Sequence, residues 1–162
     1  MPNKIILNKR IPNFYKKISI PGDKSISIRW VLFASLASGI SKAKNLLVSE
    51  DVLAAIDIIK KFGIKVLKKE NVFVIHGKGL NGYNYKNNSV INAKNSATLG
   101  RLILWLLINS PKKIKLIGDQ SLSKRDFKRV AFPLTKFGAK FQLKKKIWFA
   151  TYNLWNRKFE TN

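Results

Sequence analysis

Ile28, Val31, Leu32 and Leu36 recur at helical spacing behind the turn Pro21-Gly22-Asp23. They predict a first helix over Ser25 to Ser38, with Gly39 as its stop. Ser49 suits the N-cap of a second helix, Glu50 to Phe62, with Glu50 and Asp51 at the positive end of its dipole. Val52, Ile56, Ile59 and Phe62 form one apolar face until Gly63 ends the helix. The period then shortens. Ile64 to Leu67 and Val72 to Ile75 are β-branched stretches joined by a short polar turn, the pattern of a hairpin. His76 closes the second stretch and reads as a surface or loop histidine, and the Gly- and Asn-rich Gly77 to Asn88 reads as loop.

A similar set of elements then returns. Strand-like Val90-Ile91 leads to a helix over Ser96 to Ile108, whose run Leu102 to Leu107, with Trp105, reads as buried. A strand over Lys113 to Ile117, a helix over Phe127 to Phe137 and a strand beginning at Ala139 follow. Lys61-Phe62-Gly63-Ile64-Lys65-Val66 is echoed 75 residues on by Lys136-Phe137-Gly138-Ala139-Lys140-Phe141, and Arg29 is echoed 72 residues on by Arg101. A repeat of helix, helix and strands at this period points to stacked α/β units.

Composition bounds the size of the core more firmly than it bounds the function. The chain has 162 residues, 46% of them hydrophobic, enough for one domain or a piece of a larger one with a real core. Lys and Arg number 32 against 8 acids, a balance that ordinarily indicates a polyanionic partner. However, 26 of those 32 are Lys, and Lys, Ile and Asn together exceed a third of the chain. These residues share A/T-rich codons, so the charge is weak evidence of function. The absence of Cys excludes disulfides, thiolate metal sites and a Cys nucleophile. The first residues hold no apolar run of signal-peptide length, and Leu102 to Ile108 is too short to span a bilayer, which together predict a cytoplasmic protein.

Two helix starts carry candidate chemistry. Asp23-Lys24-Ser25-Ile26-Ser27-Ile28-Arg29 brings a Lys, a hydroxyl and open backbone N–H groups to one spot, with Arg29 on the same face four residues after Ser25. Such a cluster suits a phosphate or carboxylate; it equally suits an ordinary cap by Asp23 or Ser25 with two solvated cations. Asn95-Ser96-Ala97-Thr98 opens the third helix, with Arg101 four residues beyond Ala97. Small residues there let a ligand approach the backbone, and Arg supplies a two-pronged donor. An N-cap with an exposed Arg is again the simpler alternative.

Pro21 to Arg29 resembles the first signature of the 5-enolpyruvylshikimate-3-phosphate (EPSP) synthase family. Asn95 to Arg101 resembles its second, and Gly118-Asp119-Gln120-Ser121-Leu122 through Arg125 its third. Asn45-Leu46-Leu47 with Ser49-Glu50-Asp51-Val52 matches the run between the first two helices. The matches are collinear from about Ile20 to Phe141. The resemblance implies transfer of the carboxyvinyl group of phosphoenolpyruvate to the 5-hydroxyl of shikimate 3-phosphate, with release of phosphate and without a metal or organic cofactor. It implies that Lys24 contacts both substrates and takes part in catalysis, and that Ser25 and Arg29 hold shikimate 3-phosphate. Asn95, Ala97 and Arg125 would line the phosphoenolpyruvate side, with Arg101 supporting that helix start.

The family is similar in fold class, α/β with repeated βαβαββ units in an inside-out α/β barrel of two lobes. On that scheme residues 1–20 form the strand region linking the lobes and 21–146 about two of the three units of an incomplete first lobe. The second lobe, with further catalytic groups, lies outside this sequence, so the chain alone is expected to be inactive. Three positions depart from the family. Ile28 replaces a His or Asn, Asp126 replaces a Pro and is expected to leave its loop less fixed, and Ala97 replaces a Gly, whose added methyl is expected to hinder glyphosate more than substrate.

Beyond Lys146, Trp148, Phe149, Tyr152, Trp155 and Phe159 crowd into a tail with no helix or strand period. A one-base shift at the A-rich codons of Lys144-Lys145-Lys146 would yield a Leu-Pro-Leu stretch like the family's own, so residues 147–162 are read as an out-of-frame tail. The contrasting account of the whole chain is a small basic α/β module that binds nucleic acid, supported by charge alone.

Overall fold

The computed structural model describes residues 10, 13, 15–108, 110–144 and 147–152, the side chains of 143–152 excepted. The first unit runs α1 (Lys24–Leu36), β1 (Ser38–Lys44), α2 (Glu50–Lys61), β2 (Lys65–Lys69) and β3 (Val72–Lys78). β3 pairs antiparallel with both neighbours, giving the order β1-β3-β2, so the predicted hairpin is present. Asp23 rather than Ser25 caps α1, its carboxylate accepting the N–H of Ile26 at 2.7 Å. Ile28, Val31 and Leu32 on α1 and Val52, Ala55, Ile56 and Ile59 on α2 bury the apolar stripes read from the sequence.

The second unit runs β4 (Ser89–Asn92), α3 (Ala97–Leu106), β5 (Ile114–Ile117), α4 (Gln120–Ser123), α5 (Lys128–Lys136), β6 (Ala139–Lys144) and β7 (Ile147–Tyr152). Its sheet has the order β4-β5-β7-β6. β4 and β5 are parallel, so β4-α3-β5 is a crossover unit, and β7 is antiparallel to both its neighbours. Ile91, Leu99, Ile103, Ile114, Leu116, Phe127 and Leu134 continue the core begun in the first unit.

Four readings of the sequence are corrected. Gly39 does not simply stop α1: it lies in β1 at φ 117°, an edge strand whose residues are mostly exposed and so show no alternation. His76 sits half-buried inside β3, opposite Ile40 and Lys65, because the strand continues to Lys78. Trp105 is 39% exposed on the far side of α3 from Ile103 and Leu104. The start of the aromatic tail is a strand, since β7 fills the place between β5 and β6; β-branched and aromatic residues favour strands even without alternation. Trp155 and Phe159 lie outside the described residues.

Candidate active site at the helix N-termini

The long helices all point the same way. At one end, the Lys24 ammonium meets the Asp51 carboxylate at 3.1 Å, which joins the starts of α1 and α2. At the other, Ser35 near the end of α1 hydrogen-bonds the Tyr83 hydroxyl at 2.6 Å. The rings of Tyr83 and Tyr85 pack on Phe62, just past α2, at 5.0 and 4.6 Å. Tyr85 in turn hydrogen-bonds Ser110, just past α3. Thus α1, α2 and α3 end together and must begin together. α5 follows suit, because Phe127 at its start lies under Arg101 in the first half of α3, while Phe137 at its end meets Trp105 near the end of α3.

This common end is where the signature residues lie. Gly22 is pressed against the backbone of Asn45 and Leu47, where a Cβ has no room, and Asn45 donates to the carbonyl of Ile20 at 3.0 Å. Ser27 accepts the N–H of Leu47 at 3.1 Å. The Pro-Gly turn is thereby fixed against the 45–47 run, and Lys24 emerges from it directly. Arg29 folds back along α1, its Nε donating to the carbonyl of Ser25 at 3.3 Å, so that its charge lies at the helix start. Ile28, in contrast, is wholly buried and belongs to the core.

The second and third signatures are joined at the carboxyl ends of the parallel strands β4 and β5, the place where open α/β sheets bind ligands. Asp119 donates its N–H to the carbonyl of Lys94 at 2.8 Å, and Ala93 donates to that of Ile117 at 2.9 Å. Gly118 is needed there because a Cβ would strike Leu122 and come within 2.7 Å of the Lys94 carbonyl oxygen. Ser96 caps α3, accepting the N–H of Leu99 at 3.3 Å, with exposed Asn95 before it and buried Ala97 as the first helical residue. Arg101 reaches across to donate to the Asp126 carbonyl at 3.1 Å. Asp126 also accepts the N–H of Lys128 at 2.7 Å. The 125–127 loop is thus held at Asp126 by a bond to its main-chain carbonyl, which any residue offers, and by one to its carboxylate. Arg125 projects from this loop into solvent.

The electrostatic balance at this end follows from how its acids are used. Asp23, Asp119 and Asp126 each accept a backbone N–H, Asp51 faces Lys24, and Glu50 lies exposed in the first turn of α2. Lys24, Arg29, Arg101 and Arg125 then stand beside converging positive helix ends, an arrangement suited to one or more anions. Two buried polar atoms are without a partner among the described residues, Ser49 Oγ at the cap of α2 and Arg101 Nε in the first half of α3. At the opposite end, burial pushes the pKa of Tyr83 and Tyr85 up, against the lowering effect of their hydrogen bonds to Ser35 and Ser110; Tyr85 nearby adds to the rise at Tyr83.

Asp51 was not singled out as a site residue from sequence. Its signal was there: it falls in step with Ala55, Ile58 and Phe62 on the apolar stripe of α2, an acid where burial is expected. Ser49 occupies the predicted cap position but its side chain makes no capping bond.

The sequence model of the family described as EPSP synthase (3-phosphoshikimate 1-carboxyvinyltransferase) matches residues 9–158. The chain belongs to the EPSP synthase family. Among its curated EPSP synthase relatives, the 3-phosphoshikimate 1-carboxyvinyltransferase of Sulfurihydrogenibium sp. (strain YO3AOP1) is 39% identical over 85% of this chain and 32% of that protein. That of Bacillus subtilis (strain 168) is 40% identical over 81% and 30% respectively. A solved EPSP synthase from Acinetobacter baumannii superposes with a TM-score of 0.78 at 32% identity, covering 85% of this chain and 32% of that one. The mixed α/β architecture is thus that of EPSP synthases, and the chain spans about three tenths of the length of the relatives it matches. Among the described residues no helix is long and apolar enough to cross a membrane.

Proposed function

We propose that this chain is the shikimate 3-phosphate-binding portion of a cytoplasmic 3-phosphoshikimate 1-carboxyvinyltransferase. The complete protein would transfer the enolpyruvyl group of phosphoenolpyruvate to the 5-hydroxyl of shikimate 3-phosphate and release phosphate. The observation that carries this reading is the common direction of α1, α2, α3 and α5, whose N-termini gather beside Lys24, Ser25, Arg29, Asn95, Ala97, Arg101 and Arg125. Both substrates are anions, and preorganised N–H groups, Lys and Arg stabilise charge as a tetrahedral adduct forms and collapses. Lys24 contacts both substrates; Ser25 and Arg29 hold shikimate 3-phosphate. Asn95, Ala97 and Arg125 line the phosphoenolpyruvate side, and Arg101 fixes the start of α3 against the 125–127 loop. A second lobe supplies the remaining acid/base groups, so this chain alone does not turn over.

Amine-reactive labelling tests the reading. Shikimate 3-phosphate should slow modification of Lys24 by roughly tenfold while leaving Lys68 and Lys69, on and beside the β2–β3 turn, unchanged. If shikimate 3-phosphate protects nothing, and heparin protects many lysines with a steep salt dependence, the chain is a polyanion binder instead. We further propose that residues 147–162 arise from a one-base shift at the codons of Lys144 to Lys146. Sequencing the genomic DNA through that run and onward decides it, because a restored frame must lead into a second lobe.

A further inference from the structure

Lys24–Asp51 is the ion pair formed among the described residues, and its two members are unequally placed. The Lys24 side chain is 54% exposed, while that of Asp51 is 8% exposed in the first turn of α2. Of four buried polar or charged residues among those described, Asp51 alone carries a formal charge. A carboxylate that deep is retained at a cost unless it is compensated, and here the compensation comes from the α2 dipole and Lys24. The geometry is asymmetric in a useful way. Asp51 is fixed by the packing of α2 against α1, whereas Lys24 is a four-carbon chain free to sweep a wide arc from its exposed position.

We propose that Asp51 is a positioning residue: it holds the Lys24 ammonium over the shared helix N-termini and leaves its other N–H groups directed at the bound anion. This rests on the functional reading above and deepens it, since Asp51 touches substrate only through Lys24. An ammonium has three donors, of which the ion pair uses one. Holding the stem before the substrate arrives removes the ordering that an untethered Lys would undergo on binding. The adjoining Ser49, whose Oγ is buried without a partner, belongs to the same turn and does not compete for either member in the structure.

The test uses the full chain and two readouts. In the first, without substrate, Lys24 is labelled in the wild type and in Asp51→Asn, with Lys16 and Lys17 as internal references. The variant should label Lys24 roughly fivefold faster, and an unchanged rate overturns the proposal whatever the chain binds. In the second, shikimate 3-phosphate binding is measured by calorimetry for wild type, Asp51→Asn, Asp51→Glu, Lys24→Met and the double variant Lys24→Met/Asp51→Asn. Asp51→Asn should weaken binding roughly fivefold and Asp51→Glu should recover most of it. On the Lys24→Met background, Asp51→Asn should change nothing. Equal losses on both backgrounds would make Asp51 a merely structural residue, and tighter binding in Asp51→Asn would make it a competitor for Lys24; either result overturns the proposal. If labelling responds but the wild-type chain binds no shikimate 3-phosphate, the positioning stands and the functional reading falls. Thermal melts of each variant identify any that fail to fold, in which case Asp51→Glu carries the comparison.

Discussion

Phe62 and Phe137 stand at the same point of two echoed segments, each followed by a glycine in the left-handed region, with φ 80° at Gly63 and 88° at Gly138. Locally the two units make the same turn at the end of a helix. Their surroundings differ: Phe62 is fully buried, whereas Phe137 is 59% exposed. The cover over Phe62 comes from the segment after β3, which brings Tyr83 and Tyr85 onto its ring, their hydroxyls hydrogen-bonded to those of Ser35 and Ser110. Asn84 adds a hydrogen bond from its N–H to the Phe62 carbonyl at 2.8 Å. Over Phe137 the recorded ring contact is the edge of Trp105, itself partly exposed. A repeat fixes the turn, while burial depends on what the chain lays across it afterwards.

Truncating the two rings should have very different consequences. Phe62→Ala removes a fully buried aromatic and should cost about 3–5 kcal/mol in urea denaturation of the chain. Phe137→Ala should cost less than about 1 kcal/mol, since the ring is mostly exposed and its ring contact among the described residues is the edge of Trp105. Comparable losses would mean that Phe137 is covered in solution as Phe62 is.

That contrast also explains what could be read from sequence. α1, α2, α3 and α5 were legible within about two residues because each has an apolar stripe and three of them open on a recognisable cap or turn. β1 was not legible: Ser38 to Lys44 buries almost nothing, and it is a strand because β3 offers it an open edge. α4 is four residues long, too short for a period, and exists through the Asp119 cap. The signature residues Lys24, Ser25, Arg29, Asn95, Ala97, Arg101 and Arg125 were readable because helix starts need local chemistry. Their convergence was not, since it depends on Tyr83, Tyr85 and Phe127 setting four helices in one direction. Asp51 escaped because its partner is 27 residues away; the burial of an acid is visible in the stripe, but not what answers it.

The glycines after the two rings should respond alike. Gly63→Ala and Gly138→Ala both force a side chain into the left-handed region, at about 1–2 kcal/mol each. The Cβ at Gly138 meets nothing within 4 Å, and that at Gly63 meets Asn84 only at ordinary contact distance, 3.6 Å. The two losses should therefore agree within about 0.5 kcal/mol despite the difference in burial next door. A much larger loss at Gly63 would show that the turn is strained by its cover and the units are not locally equivalent.

The smallest expected effect separates the two units by pH. Burial raises the pKa of Tyr83 and Tyr85 in the folded chain above the ordinary tyrosine value of 10.0. A folded-state pKa raised above the unfolded one means that, in alkali, the unfolded chain gives up its phenolic protons first. Their contribution to stability is complete below about pH 10 and falls as the pH rises from there through the folded-state values. Lysines titrate in the same range, so the measurement must be differential. Tyr83→Phe loses the hydrogen bond to Ser35 and should cost about 1 kcal/mol at neutral pH. It also removes one of the two phenols, so its denaturation midpoint should decline less steeply than the wild type's between about pH 9.5 and 11. The gap between the two proteins should narrow as the pH rises. Parallel declines would mean that the Tyr83 hydroxyl meets water in the folded chain, and the lid over Phe62 that distinguishes the first unit from the second would be open.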